Sequence, residues 1–391
     1  MGSLKAVILA AGEGIRLRPF TMSRPKAMIS VGNKPVLEYI VQSLVANGIT
    51  DIVIVVGYCA NTIMSHFGDG RNCGAHITYV TQPRPLGTAN ALCCAWPLLQ
   101  EEERIIVLAG DNYIDRQTVA AALQGPVPLA VVTESDTPSR YGVVEVKDNC
   151  ITSIVEKPQT QISKLISTGI YIFNKDILNL FREAAEVSAQ GISEVLADHL
   201  PQLPLAAVKA KGAWIDAVYP QDLIRLNETA LENTAACKAG IIEAGAVVKG
   251  RVQVGAGSRI CAGCYLEGPI VIGENCELGP GVTIMPATSI GNDVQIGPYT
   301  CISDSVIMDN VVIGTHCHLA RAALDCGVNM GSAILADGRS KEQSGTGVMI
   351  GQDSWIGSGT VFQPNTVVGA ECRISSGAVV RSNLENRSIV V

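Results

Sequence analysis

Four cations crowd one short stretch near the start of the chain: Arg16, Arg18, Arg24 and Lys26 follow directly on Ala10-Ala11-Gly12-Glu13-Gly14. Glycines let backbone N–H groups approach phosphate oxygens, and arginine and lysine supply the countercharge, so the loop suits a small polyanion. The dinucleotide fingerprint is absent, because Leu17 stands where its third glycine belongs. A second candidate group, Cys261-Ala-Gly-Cys264, has the spacing of half a metal site, but no second ligand pair lies nearby and core packing is the better reading.

These residues need a frame. The chain has 391 residues, 47% hydrophobic and 17% charged, with a formal net charge of −7. That length implies two domains, and the acidic balance without a basic cluster argues against nucleic acid as a partner. No apolar run is long enough to span a membrane. The first residues read as a buried strand rather than a signal peptide, and thirteen cysteines without a disulfide-like spacing suggest reduced thiols in a cytoplasmic protein.

Up to about residue 228 strand-like and helix-like segments alternate. LKAVILA and ITDIVIVVGY are β-branched runs, and PVLEYIVQSLVANG between them has helical spacing and ends on Asn47-Gly48, a C-cap signal. Such a unit predicts an α/β layered, Rossmann-like domain over 1–228, with ligands beyond the carboxyl ends of the strands, where the cationic loop falls. After a linker at 229–240 the rhythm changes. Every sixth residue from Ile242 to Ile302 is aliphatic, and the pattern resumes from Ile350 to Val380. Four residues after each aliphatic stands a small or β-branched residue, a slot taken by Cys264, Cys276 and Cys372. This predicts a hexapeptide-repeat, left-handed β-helix over 241–391.

With the loop, four further motifs occur in order: Gln82-Pro-Arg-Pro-Leu-Gly87-Thr88-Ala89, Leu108-Ala-Gly-Asp111, Tyr141-Gly142 with Glu156-Lys157-Pro158, and Trp214-Ile-Asp216. Together with the loop signature, in which Ile15 replaces a usual Thr, they resemble the sugar-1-phosphate nucleotidylyltransferases, most of all archaeal two-domain enzymes that join this activity to a β-helix. The resemblance implies nucleotidyl transfer from UTP or dTTP to glucose-1-phosphate or N-acetylglucosamine-1-phosphate. It implies that Arg16 holds the departing pyrophosphate, Lys26 the α-phosphate and Lys157 the sugar phosphate, with Asp111 and Asp216 as ligands of Mg²⁺. Leu9, Ala11, Gly12, Gly14, Gln82, Gly87 and Thr88 would line the nucleotide, and Tyr141, Gly142, Glu156, Thr168 and Gly169 the sugar phosphate. Gln82 favours a pyrimidine, where purine-using relatives often carry glutamate. The usual Asn of the sugar segment is replaced by Ser167.

In bifunctional relatives a His-Leu pair on the β-helix supplies the base for acetyl transfer, and Cys317-His318-Leu319 resembles it, implying acetyl-CoA as a further substrate. Arg321 and Asp337 depart from that pattern, and the coil beyond His318 reads about three residues short. The resemblance also leaves room for a mannose-1-phosphate guanylyltransferase, or for a non-catalytic regulatory protein of the same plan. Flat-faced prisms of this kind pack together, so a homotrimer or a dimer of trimers is expected.

Overall fold

The computed structural model describes residues 4–160, 162–187, 191–339 and 347–391. The chain divides into two compact units. The first comprises residues up to Glu13, Arg24–Met28 and Val36–Asp216, and the second Gly14–Ser23, Ile29–Pro35 and Ala217–Val391.

Nine strands form one sheet in the first unit, in the order His76–Thr81, Asp51–Val56, Leu4–Ala10, Arg104–Ala109, Leu165–Asn174, Leu129–Glu134, Ala206–Lys209, Cys150–Glu156 and Gly142–Lys147. The first four are mutually parallel, whereas Leu165–Asn174 runs antiparallel to both of its neighbours. Both faces of Leu4–Ala10 are covered: Ile8 packs in a cluster with Leu37, Ile40 and Leu44, and Val7 in another with Leu92, Leu99 and Phe181. Burial on both sides explains why this strand reads as a continuous apolar run rather than an alternating one. The helix Val36–Val45 is followed by Gly48 at φ +79°, with the Ile49 N–H donating to the Leu44 carbonyl at 3.0 Å. That left-handed turn is the C-cap expected from Asn47-Gly48.

Strands Leu4–Ala10 and Arg104–Ala109 are parallel neighbours, so the loops that follow them leave from the same edge of the sheet. Gly110 makes this possible. A Cβ there would lie 2.8 Å from the Ala10 Cβ and 2.9 Å from the Leu9 carbonyl oxygen. Only glycine lets the chain pass this close, and the next residue is Asp111.

In the second unit three parallel sheets of eight, nine and eight strands wind as a left-handed β-helix. Ile242 stacks on Ile260 and Ile260 on Leu278, a coil of eighteen residues. From Ile296 to Ile313 and from Ile302 to Leu319 the coil shortens to seventeen. The coil beyond His318 is short by one residue rather than about three, since His318 pairs with Leu335, and it is the coil after it that is long, because Leu335 pairs with Val361. The added residues of that coil fall in the sequence between Gly338 and Gly347, where a six-residue count has no template. Cys264, Cys276 and Cys372 are buried, each thiol within 3.1 Å of a backbone carbonyl oxygen one coil on. Burial pushes all three thiols above their ordinary pKa.

The helix Asp222–Glu232 extends into the stretch read as linker, and the first β-helix strand is Cys237–Lys238. Within this unit the fully buried Asn227 accepts from the Gly32 N–H at 2.8 Å and the Ser289 hydroxyl at 2.7 Å, and donates to the Ala287 carbonyl at 2.9 Å. One amide thus ties the hairpin at Ile29–Pro35, the helix and the coils together, leaving none of its buried partners without a hydrogen bond. Among the described residues no helix is long and apolar enough to cross a membrane, and all thirteen cysteines are free.

Candidate active site

Three distant pieces of the first unit meet at one cation. The Lys26 Nζ lies 2.7 Å from the Asp111 Oδ2 and 2.6 Å from the Asp216 Oδ1. Each partner arrives for a local reason. Lys26 opens the short helical turn Lys26–Met28. Asp111 follows Gly110 at the end of its strand. Asp216 ends the strand Trp214–Asp216, which pairs antiparallel with Asn112–Ile114 so that Asp216 faces Asn112. Asp115 fixes that pairing: its carboxylate caps the helix Arg116–Leu123 by accepting from the Thr118 N–H at 2.9 Å, and it also accepts from the Ala213 N–H at 2.9 Å. Trp214 adds a bond from its indole N–H to the Thr168 carbonyl at 2.9 Å.

Burial alone would lower the Lys26 pKa, but the charges of Asp111 and Asp216 outweigh it and hold the ammonium above its ordinary value. Two carboxylates this close repel unless a cation lies between them, and here the lysine is that cation. The pair also fits a hard divalent ion, since both donors are carboxylate oxygens that already close on one positive group. Among the described residues no three acidic, histidine or cysteine side chains converge on a common point. A metal here would therefore draw most of its ligands from phosphate oxygens and water.

A cavity of about 360 Å³ opens in the same unit. It is lined by Leu9, Gly87, Thr88, Glu156, Lys157 and Gly169, all expected from the motifs. Lys157 sits at φ +45°, an uncommon conformation for lysine, and its N–H donates to the Tyr141 carbonyl at 3.0 Å. Its Nζ pairs with the Glu156 carboxylate at 2.9 Å. A Cβ on Gly142 would stand 3.0 Å from the Glu156 Oε2, so a side chain there would displace that carboxylate slightly. Tyr141 packs edge-on against Trp214, ring centroids 5.6 Å apart.

Other expected residues stand outside this lining. Thr168 is buried, its hydroxyl donating to the Val131 carbonyl at 2.8 Å, so its side chain faces the sheet. The Ala11 carbonyl accepts from the Tyr58 N–H at 3.1 Å, and Gly12 has open space on its Cβ side. Gln82 is buried, and its amide nitrogen donates to the Gly87 carbonyl and to the Asn90 Oδ1, both at 3.0 Å. A backbone carbonyl can only accept, so the amide orientation is fixed and the acceptor Oε1 is the other polar atom of the side chain. Gly14, at φ +75°, and Arg16 belong to the second unit, where the Arg16 guanidinium lies 6.0 Å from the centroid of the Tyr219 ring.

The cavity is completed by residues that sequence reasoning missed: Tyr171 and the start of the helix Ile192–His199, including Ser193 and Glu194. The Ser167 hydroxyl lies 3.0 Å from the Tyr171 hydroxyl, which lies 3.4 Å from that of Ser193. Thr88 accepts from the Ile192 N–H at 2.9 Å, and Glu194 from the Gly191 N–H at 2.8 Å. Gly191-Ile-Ser-Glu194 carries only a helix-start signal, with nothing in it that marks a ligand.

On the β-helix, Arg339 clasps the Asp337 carboxylate at 2.8 and 2.6 Å and places Nη2 3.1 Å from the His318 Nε2. His318 is 3.7 Å from the Asp337 Oδ2. The hydrogen bonds and charge of Arg339 hold the Asp337 carboxyl below its ordinary pKa. Since a guanidinium can only donate, the His318 Nε2 is its acceptor, which leaves any proton of the neutral ring on Nδ1.

A mixed sheet with the loops after its parallel strands at one edge, acidic residues paired about a lysine, and a stacked hexapeptide array fit a nucleotidyltransferase domain followed by a left-handed β-helix. The chain belongs to the nucleotidyl transferase family, whose profile matches residues 5–233. Residues 266–340 match the GMPPB C-terminal domain, and residues 347–382 six repeats of the bacterial transferase hexapeptide. A glucose-1-phosphate thymidylyltransferase of Streptomyces antibioticus is 34% identical over 66% of this chain and 74% of its own length. The mannose-1-phosphate guanylyltransferase catalytic subunit beta of Drosophila melanogaster is 34% identical over 56% of this chain and 61% of its own. A crystal structure of a putative glucose-1-phosphate thymidylyltransferase from Bacillus anthracis superposes with a TM-score of 0.54 at 28% identity, over 60% of this chain and 98% of its own.

Proposed function

We propose that this protein transfers a nucleotidyl group from UTP or dTTP to glucose-1-phosphate or N-acetylglucosamine-1-phosphate, releasing pyrophosphate. The meeting of Lys26, Asp111 and Asp216 at one point carries the reading. A phosphate oxygen of the sugar-1-phosphate attacks the α-phosphorus in line, and the bond to the bridging oxygen of the β-phosphate breaks. No covalent enzyme intermediate is needed, so the protein's work is positioning and charge neutralisation. Lys157, beside Glu156 at the cavity wall, holds the sugar phosphate, and Lys26 the α-phosphate. Arg16 is assigned to pyrophosphate by its motif alone. Mg²⁺ held by Asp111 and Asp216 would supply further positive charge against the phosphate oxygens. The Gln82 Oε1 would accept from a ring N–H, which suits uracil and thymine over cytosine and adenine, whose corresponding ring nitrogens are acceptors. Guanine also offers a ring N–H, and the guanylyltransferase relative keeps GTP with mannose-1-phosphate as the second reading. A matrix of nucleoside triphosphates against sugar-1-phosphates, followed by pyrophosphate release, tests both; fastest turnover with GTP and mannose-1-phosphate would replace the first reading by the second.

Assembly forms part of the same proposal. One β-helix sheet turns outward Val247, Tyr265, Thr283, Cys301, His318 and Leu335 in register, a column with no lysine, arginine or carboxylate. Burying it against copies of itself would give the homotrimer. Light scattering showing a particle of the 41.1 kDa chain mass at micromolar concentration would refute it.

A further inference from the structure

A divalent ion binding between Asp111 and Asp216 would enter a place already holding positive charge. The Lys26 ammonium touches both carboxylates at 2.7 and 2.6 Å, and its side chain is only 11% exposed. It is an inserted group rather than a surface lysine resting on acids. Resting on the assignment of these two aspartates as metal ligands, we propose that Lys26 is the resident counter-cation of the metal site, keeping free divalent metal out until a triphosphate arrives.

The charges make the order of events follow. With Lys26 in place the trio carries one net negative charge, a weak attraction for an ion that gives up its water reluctantly. The ammonium would also face the incoming ion at close range in a partly buried site, where screening is poor. A triphosphate changes both conditions. It offers Lys26 a phosphate oxygen as an alternative partner and brings its own oxygens as metal ligands. Departure of the lysine frees two carboxylates as the metal's phosphate ligands arrive. The same side chain thus neutralises the aspartates in the free protein and the α-phosphate in the complex, and at no stage are the two carboxylates left facing each other without a cation.

Mn²⁺ serves as the probe, titrated into the full-length protein without nucleotide and followed by the EPR signal of the free ion. Lys26→Gln should bind one Mn²⁺ roughly tenfold or more tightly than wild type, because a like charge has been removed from the site. Lys26→Arg, which keeps a cation there, should bind as weakly as wild type. Mn²⁺ should raise the melting temperature of Lys26→Gln while leaving that of wild type in place, and circular dichroism checks that each variant is folded. Equal affinity in wild type and Lys26→Gln, including no binding to either, overturns the proposal. The metal assignment fails separately: adding Asp111→Asn to Lys26→Gln should abolish the tight site, and tight binding that survives it places the ion elsewhere.

Discussion

Asp115 touches no substrate in this reading, yet its replacement should damage both stability and turnover. Its carboxylate accepts two backbone N–H bonds at 2.9 Å, from Thr118 in the helix it caps and from Ala213 one residue before the strand that ends on Asp216. Loss of an N-cap costs roughly 0.5–2 kcal/mol, and a hydrogen bond to a charged group is worth about 1.5–3 kcal/mol. Asp115→Ala should therefore destabilise the first unit by roughly 2–5 kcal/mol, a fall in melting temperature on the order of 4–20 °C for a unit of this size. The chemical cost follows from position. Without the side-chain tether the segment is held by the longer backbone bond from the Asp115 N–H to the Ala213 carbonyl at 3.2 Å, the pairing with Asn112–Ile114, the Trp214 indole bond and the Lys26–Asp216 contact, and it sits less firmly. A displacement near 1 Å at a reacting centre can cost about 10²-fold, so turnover should fall by roughly 10–100-fold at temperatures where the variant is fully folded. Calorimetry and steady-state pyrophosphate release on the same preparation measure the two effects. Asp115→Asn, which keeps one acceptor oxygen, should fall between the extremes. A lowered melting temperature with unchanged turnover would show that Asp216 is held by other means, and an unchanged melting temperature would refute the capping role.

Asp111→Asn should fold normally and lose roughly two or more orders of magnitude in turnover, as when one electrostatic contact to a transferring phosphate is removed; wild-type turnover in this variant would sink the metal-ligand assignment. Acetyl transfer at His318 predicts thiol release from acetyl-CoA with glucosamine-1-phosphate. Because Arg339 already hydrogen-bonds the Nε2 of His318, we expect none from wild type, and release that disappears in His318→Ala would prove this expectation wrong. Asp337 gives a pH signature. Its folded pKa lies below the ordinary 3.8, so its contribution to stability is present above that value and fades as pH falls through the folded pKa. The difference in melting temperature between wild type and Asp337→Asn should therefore be present at neutral pH and shrink in acid below the carboxylate range; a difference that grows on acidification would contradict the ion pair.

How much of this was legible in the sequence varies with the kind of signal. The cationic loop and the acidic motifs could be read because glycine, charge and a preceding apolar run occur together within a few residues. The β-helix could be read because its core repeats: Ile242 to Ile302 fill inward positions without interruption. The count then loses Ile307, Ile313, Leu319, Leu324 and Met330, which are equally buried. Each seventeen-residue coil contains one five-residue step, from Ile302 to Ile307 and again from Leu319 to Leu324. Ser193 and Glu194 were illegible for another reason. They reach the cavity through the pairing of Leu165–Asn174 with its neighbours and the docking of a short helix, contacts distant in sequence that no local pattern encodes. Thr168 shows the converse, since its place in a motif suggested a ligand contact and its hydroxyl turned out to face the sheet. Nor does composition mark Gly14–Ser23 as belonging with the second compact unit.

The stacking register gives the β-helix a unit of length. Arg259 pairs with Glu277 and Ile260 with Leu278, just as Ile241 pairs with Arg259 and Ile242 with Ile260. Excising residues 259–276 would therefore bring Glu277 and Leu278 onto Ile241 and Ile242, with every inward side chain still inward and the prism one storey lower. Removing one residue fewer would join Ser258 to Cys276 and turn the side chains that follow to the wrong face, unless a corner took up the extra residue. Chains of this architecture can thus change height only in whole turns, apart from single residues dropped at corners. The first excision should still melt cooperatively by calorimetry and the second should not; similar melting of both would mean that the coils tolerate slippage.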